Sequence, residues 1–236
     1  MRDNLTILDP GRDDDVMTSQ AGTGRVNQKE RTRRAIVQAT RDLIRSGGEV
    51  TMPAVAKSAL VSEATAYRYF PDLASLLNEA LAGVWPSPET ALEPVARSTD
   101  PVERIGYATE VLLRHVLAYQ GAVRAMIAAT ITRPAMAAIR PGYRFGLIDY
   151  ALRPLDGAGP ADAAAVAQLK RDLAVVVSAE ALFTLTDLCG LSPEDAIASA
   201  GHTARALTEA ATRKIVLAQC GSKKVTDQRE RNPIHA

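Results

Sequence analysis

Cysteine is scarce in this sequence, whose 236 residues include only Cys189 and Cys220. Two cysteines do not make the dense framework of a small disulfide-rich protein, nor a set of metal ligands. Histidine is also scarce, with three residues, and His115 and His202 lie too far apart in the sequence to predict a metal site. We therefore expect reduced thiols, no metal and no other cofactor.

Aromatic residues make up only 4% of the chain, although 47% of it is hydrophobic. Strands favour aromatic and β-branched residues, so a composition rich in Ala and Leu predicts an all-α fold. No apolar run reaches the ~18 residues that a membrane-spanning helix needs, and no signal peptide is visible. No pairing of a nucleophile with a base is legible either. These absences favour a cytoplasmic protein that is neither membrane-bound nor an enzyme.

The net charge of +1 averages over unlike segments. Residues 1–24 carry two arginines against five aspartates, a net of −3, whereas residues 25–45 carry seven basic residues against two acidic ones, a net of +5. Such a local concentration of positive charge is typical of a phosphate-binding surface. Standing alone, the run would be interpreted as an ordinary solvated helix face.

Proline, glycine and polarity divide the chain into segments. Residues 1–24 predict a disordered leader and residues 221–236 a flexible tail, because both are polar and lack a sustained apolar period. Between them, helical periodicity predicts a small domain over 25–72 and a larger one over 73–220. The long helices predicted in the larger domain span residues 101–120, 122–132, 135–152, 161–189 and 193–219.

Residues 51–70 contain the main functional signal, a pair of short helices that predicts a helix-turn-helix. Thr51 and Ser62 are the expected N-caps of these helices, and the preceding helix is expected to end at Gly47-Gly48. Helices this short cannot bury their own apolar faces, so they need amphipathic neighbours on both sides. The side chains predicted to point inward are those of Val55, Ala56, Val61, Ala66 and Phe70.

The outer part of the third helix is short and polar at its beginning. Such side chains suit a helix whose N-terminal end enters a major groove about 12 Å wide. The alternative is a purely structural corner between two helices. The residues left on this outer part are Ser62, Glu63, Ala64, Thr65, Tyr67 and Arg68.

This region resembles the TetR family of bacterial regulators. The resemblance rests on the basic first helix, on Val50-Thr51 and Val61-Ser62 before the second and third helices, and on the run Thr-Ala-Tyr-Arg-Tyr-Phe-Pro over residues 65–71. It extends over about residues 29–82. It implies a homodimer that binds a near-palindromic operator, with one third helix in each half-site.

The resemblance also implies roles for individual residues. Glu63, Ala64 and Thr65 would lie nearest the bases, although Glu63 is equally consistent with a solvated acid at a helix start. Tyr69 is equally consistent with packing in the three-helix core. The implied phosphate contacts are Lys29, Arg33, Arg34, Thr51, Tyr67 and Tyr69.

Three positions depart from the family pattern. Leu60 replaces the glycine usual in the turn, which predicts a strained or less tight turn. Ala64 replaces another frequent glycine, which alters the expected base contact. Leu73 stands where the family often has a phosphate-binding lysine, so that contact is expected to be lost.

The larger domain predicts an effector cavity and a dimer surface. Pockets between bundle helices are mostly apolar with a few polar groups, although residues of this kind at helical spacing also form ordinary core. The last two long helices are the expected dimer surface, with apolar stripes that include Leu173 and Leu207, and intramolecular burial is the alternative. The candidate effector-binding residues are Trp85, Tyr107, His115, Tyr119, Met126, Tyr143, Phe145 and Phe183.

Together these features predict a sequence-specific repressor that a small molecule releases from operator DNA. The alternative is a nonspecific nucleoid-type or scaffold protein, which would need positive charge over much more of its surface. A third possibility, an enzyme with a vestigial DNA-binding domain, has no catalytic grouping in its favour.

Overall fold

The computed structural model describes residues 14–131, 142–156 and 160–231, and every regular element within them is helical. An all-α fold is therefore confirmed. The chain divides into two compact units, one ending at Ala80 and the other starting at Leu81. The first unit thus ends eight residues later than the predicted boundary at 72, because α4 packs on α1.

Over its described residues, 14–80, the first unit contains four helices. The long α1 spans Asp14–Arg45, and the two short helices are α2, Met52–Ser58, and α3, Glu63–Tyr69. Helix α4 spans Leu73–Ala80, with Leu76 and Leu77 fully buried.

The second unit is a bundle around a continuous apolar core. Leu113 of its first long helix, Leu147 and Leu173 are all fully buried in this core. Helix α11 packs mainly against α6 and α9. Its helices are α5 Pro88–Ala91, α6 Pro101–Ala118, α7 Gln120–Ile131, α8 Tyr143–Ala151, α9 Pro160–Val176, α10 Ala179–Phe183 and α11 Pro193–Arg231, with 3₁₀ turns at Glu93–Val95 and Arg153–Leu155 and a π-helical turn at Thr184–Leu188.

The predicted leader and tail are shorter than expected. Helix α1 begins at Asp14, inside the segment 1–24, and α11 continues to Arg231, inside the segment 221–236. No proline interrupts either extension, so intrahelical hydrogen bonds continue outward from well-formed helices. Residues 1–13 and 232–236 of these two predicted segments lie outside the described residues.

The single helix predicted over 161–189 was wrong, because the chain breaks after Val176. Ser178 has an extended backbone (φ −151°, ψ 154°), and its Oγ accepts a hydrogen bond from the backbone N–H of Ala181 at 3.0 Å. A serine in this position satisfies the first turn of a new helix and so starts α10. Neither glycine nor proline marks this break in the sequence.

The apolar stripes predicted as a dimer surface belong to the core of the second unit. Leu173 and Val177 on one helix and Ile197 and Ala204 on the other are all buried in the same core cluster. Intramolecular burial, the alternative interpretation, therefore accounts for them. The apolar side chains that α9 and α11 do expose lie elsewhere, with Val175 at 72% and Val216 at 52% exposure.

Arg104 joins three parts of the second unit from a buried position. Its side chain is only 3% exposed and donates to the carbonyl oxygens of Val95 at 2.8 Å, Tyr150 at 2.7 Å and Ala151 at 2.9 Å. A buried charge is tolerated only when it is well hydrogen-bonded, and this guanidinium satisfies carbonyls at the ends of other elements. The residue therefore ties α6 to the end of α8 and to the turn before α6.

Replacing Arg104 should destabilise the second unit strongly. Arg104→Met keeps the apolar stem but removes the guanidinium donor from three carbonyl oxygens, of which that of Val95 keeps the backbone N–H of Ser98. We therefore expect a loss of about 3 kcal/mol in the free energy of unfolding. Urea denaturation measures this loss. Arg153→Met is the matched control, because Arg153 is exposed and pairs with Glu89 at 3.4 Å, and it should cost less than about 1 kcal/mol. Equal losses in the two variants would contradict the role of Arg104.

Candidate functional site

Side-chain caps begin both short helices, as predicted. The Oγ1 of Thr51 accepts from the backbone N–H of Ala54 at 3.3 Å, and Pro53 occupies the first turn of α2. The Oγ of Ser62 accepts from the backbone N–H of Thr65 at 3.1 Å, and the two hydroxyls are 2.9 Å apart. Each cap fixes the first turn of a helix with only seven residues.

The turn between α2 and α3 contains a strained residue. Leu60 has φ +56° and is 93% exposed. Its backbone N–H donates to the carbonyl of Lys57 at 3.2 Å, and that of Val61 donates to the carbonyl of Ala56 at 3.0 Å. These two bonds form the glycine-type helix end known as the Schellman motif. The predicted strain at Leu60 is thus present, while the turn keeps its tight hydrogen bonding.

The inner face of the pair is buried against its neighbours. Val55, Ala56, Ala66 and Phe70 are at most 2% exposed, whereas Val61 is only half-buried. Alanines at the contact allow the helices to approach closely, and α1 and α4 supply the remaining apolar surface of this unit. The burial pattern therefore sets the orientation of α3.

The outer face of α3 is open to solvent. Ser62, Glu63, Ala64 and Arg68 are exposed, and the ring of Tyr67 is 48% exposed. Thr65 and Tyr69 are half-buried, and the guanidinium of Arg68 lies 5.6 Å from the centroid of the Tyr69 ring. The residues predicted to read DNA therefore lie together along one helix.

The basic residues of α1 divide into exposed and occupied side chains. Lys29 and Arg34 are exposed, and Arg34 pairs with Glu30 one turn away at 2.9 Å. Arg33 instead forms a two-pronged ion pair with Glu79 of α4, with Nε at 3.1 Å from Oε1. Its guanidinium also lies 4.6 Å from the centroid of the Phe70 ring. Arg33 thus holds α1, α3 and α4 together.

Residues 36–80 match the model of the family described as bacterial regulatory proteins, tetR family. Over these residues the chain is similar to TetR-family regulators, and α2 and α3 form the helix-turn-helix of the matched region. The chain is also similar to the crystal structure of a TetR transcriptional regulator from Rhodococcus sp. RHA1, at 22% identity over 75% of this chain and 96% of that one, with a TM-score of 0.46.

The comparison with curated proteins found no match. Within the part of the chain that the structure describes, no helix combines the length and the apolar character needed to cross a bilayer.

The second unit contains a partly open cavity of about 90 Å³. Trp85 and Tyr143 are neighbours in its wall, with ring centroids 5.2 Å apart and planes tilted by 43°. The indole Nε1 of Trp85 and the phenol oxygen of Tyr143 are buried, and neither has a hydrogen-bond partner among the described residues. Leaving such a group unpaired costs about 1–3 kcal/mol. The remaining lining residues are Leu81, Leu112, Val116, Val123, Met126, Ile127, Arg144, Ser178, Ala179 and Glu180.

The eight predicted effector residues lie in different surroundings. Trp85, Met126 and Tyr143 line the cavity. His115 and Tyr119 are not in the lining and pack against the Trp85 ring, at 5.5 and 6.1 Å between centroids.

The other three predicted effector residues lie outside the lining. Tyr107 packs against the core, Phe145 is 53% exposed, and Phe183 lies beneath Arg124 at 3.8 Å in a separate open pocket. The aliphatic residues of the lining were not predicted from the sequence, because the walls of a cavity and an ordinary core contain the same kinds of apolar residue.

Glycine at position 60 should stabilise the first unit. A residue with a Cβ at this left-handed conformation costs about 1–2 kcal/mol, so we expect Leu60→Gly to raise the free energy of unfolding by about 1 kcal/mol. Urea denaturation measures the change. Leu60→Ala is the control, since it removes the exposed side chain but keeps the Cβ, and it should bring no gain. A gain of the same size from alanine would show that exposure, rather than strain, is responsible.

The Arg33–Glu79 pair should contribute to stability. Both side chains are about 40% exposed (40% and 38%), so we expect a coupling of about 0.5–1 kcal/mol between Arg33→Met and Glu79→Gln. A double-mutant cycle with urea denaturation measures it. Lys29→Met should leave the free energy of unfolding unchanged, because Lys29 is exposed. A coupling of zero would show that the Arg33–Glu79 pair contributes nothing to the free energy of unfolding.

Proposed function

We propose that this protein is a TetR-type repressor that binds a near-palindromic operator as a homodimer and leaves it when a small molecule binds the second unit. The observation that supports the DNA-binding part is that the outer face of α3 is exposed while its inner face is buried against the neighbouring helices. A helix supported in this way can enter a major groove without losing its own packing.

In this proposal, Glu63, Ala64 and Thr65 lie nearest the bases. Tyr67 and Tyr69 contact phosphates through their hydroxyls, and Lys29, Arg34 and Thr51 contribute further backbone contacts. Arg33 is the exception, because its guanidinium is engaged by Glu79, and we assign it to holding the helices. Ser62 and Arg68 flank the base-reading positions.

The proposed dimer places one α3 in each half-site, about 34 Å apart. Apolar side chains exposed on α9 and α11, such as Val175 and Val216, support the use of these two helices as the contact. Their buried stripes remain in the monomer core. Closed twofold assemblies of this kind use the same surface from both copies.

The cavity supports the effector part of the proposal. Its lining begins at Leu81, the residue that directly follows the last residue of α4, and continues with Trp85. A ligand that favours one arrangement of these residues thus acts on the segment leading out of the DNA-binding unit. A change that alters the spacing of the two α3 helices would lower operator affinity.

Two substitutions on α3 separate base reading from phosphate contact. Tyr67→Phe removes a hydroxyl that contacts the backbone, so it should weaken binding to all operator sequences alike. Thr65→Ala should change base preference, costing about 1–3 kcal/mol on the preferred base only. Mobility shifts on DNA upstream of the protein's own gene, and on variants of the bound site, measure both effects.

Competition with bulk DNA tests sequence specificity itself. A specific regulator keeps its operator in excess genomic DNA at moderate salt, whereas a nonspecific nucleoid-type protein is displaced. Absence of any preferred site would contradict the proposal. Equal losses on every DNA with Thr65→Ala would remove that residue from base reading.

A further inference from the structure

Two polar atoms in the cavity are available to a molecule that enters it. The Trp85 and Tyr143 rings are tilted by 43° to each other, and both polar atoms are buried without partners among the described residues. Buried polar groups in native proteins are nearly always hydrogen-bonded. The two atoms therefore define which chemical groups a ligand needs in order to complete the site.

The hydrogen-bonding capacity of these atoms selects an acceptor. An indole N–H can only donate, while a phenol can donate or accept. Burial raises the pKa of Tyr143, so its hydroxyl keeps its proton at neutral pH and can donate. A ligand with a carbonyl or similar oxygen satisfies a buried donor that would otherwise stay unpaired.

The charges in the lining select a neutral ligand. Arg144 and Glu180 are its charged residues among those described, and they pair with each other at 3.2 Å. Arg144 also donates to the carbonyl of Ala174 at 3.4 Å. An ionised ligand would have to lose its hydration against mostly aliphatic walls, with the one cation already engaged.

The size and shape of the cavity select a small ring. Its volume of about 90 Å³ is below the ~150 Å³ of an apolar cavity that holds benzene, but it is open on one side. Two tilted aromatic rings and the thioether of Met126 form favourable surroundings for another aromatic ring. The volume favours no more than a single ring, and part of such a ligand would lie in the opening.

We propose that the cavity binds an uncharged, single-ring aromatic molecule that carries a hydrogen-bond acceptor, such as an aryl ketone. The acceptor oxygen binds the Trp85 indole N–H or the Tyr143 hydroxyl, and the ring packs between the aromatic and aliphatic walls. This inference deepens the proposed function, on which it rests for the role of the ligand as the effector.

Fluorescence of the full-length protein tests the ligand class directly, because Trp85 is the single tryptophan of the chain. The probes are acetophenone, ethylbenzene, which has a similar size but no oxygen, and benzoate, which carries a charge. We expect acetophenone to bind about tenfold more tightly than ethylbenzene, the value of one well-made hydrogen bond. Benzoate should bind most weakly of the three.

Variants that keep the rings identify the two atoms. Trp85→Phe and Tyr143→Phe each remove one polar atom, and calorimetry replaces fluorescence because Trp85→Phe lacks the fluorophore. The variant that removes the atom bound by the acceptor should reduce the preference for acetophenone over ethylbenzene, and the double variant should abolish it. Tyr150→Phe, which alters a phenol outside the lining, should retain the preference. Circular dichroism melting shows that each variant is folded.

Three outcomes overturn the inference. The first is equal affinity for acetophenone and ethylbenzene, which is expected if water already pairs with the two polar atoms. The others are tighter binding of benzoate and no binding of any probe. A different outcome concerns only the proposed function. If acetophenone binds as expected but leaves the complex with operator DNA unchanged in a mobility shift, the ligand class stands and the effector role fails.

Discussion

The structure depends on one constraint: two helices of seven residues cannot be stable alone. Nucleating a helix is costly, and most helical stability in proteins comes from packing an apolar face. Helices α2 and α3 therefore need the apolar surface of α1 and α4. Leu76 and Leu77 of α4 are fully buried in this unit. This burial leaves α3 with one orientation and one exposed face. Arg33 reinforces the arrangement with its ion pair to Glu79 and its stacking on Phe70.

The two units differ in the chemistry of their surfaces. The first concentrates basic residues on α1 beside a helix with exposed short and polar side chains, which suits a polyanion. The second contains a partly open cavity whose two charged lining residues, Arg144 and Glu180, pair with each other. The polar atoms of its Trp85 and Tyr143 rings have no hydrogen-bond partner among the described residues. The division explains why a single net charge of +1 says little about either.

Local signals were the reliable ones. The caps at Thr51 and Ser62 and the helix end at Gly47 depend on hydrogen bonds within a few residues, so sequence spacing alone predicted them. Ser178 is a cap of the same local kind, but it was not predicted. The apolar periodicity continues across residue 178, and no glycine or proline marks the break. The stripe through Leu173 was assigned to a second copy, since periodicity shows that a face is buried but not by what.

By itself, the sequence determined the helical class, the helix-turn-helix and the identity of the residues on the outside of α3, because these follow from composition, caps and period. Only the tertiary structure decided which distant residues meet. Arg33 and Glu79 lie 46 positions apart, and Arg104 reaches carbonyls that carry no side-chain signature at all. The cavity is also decided by the tertiary structure alone, because most of its lining residues are apolar residues that the sequence does not distinguish from those of a filled core.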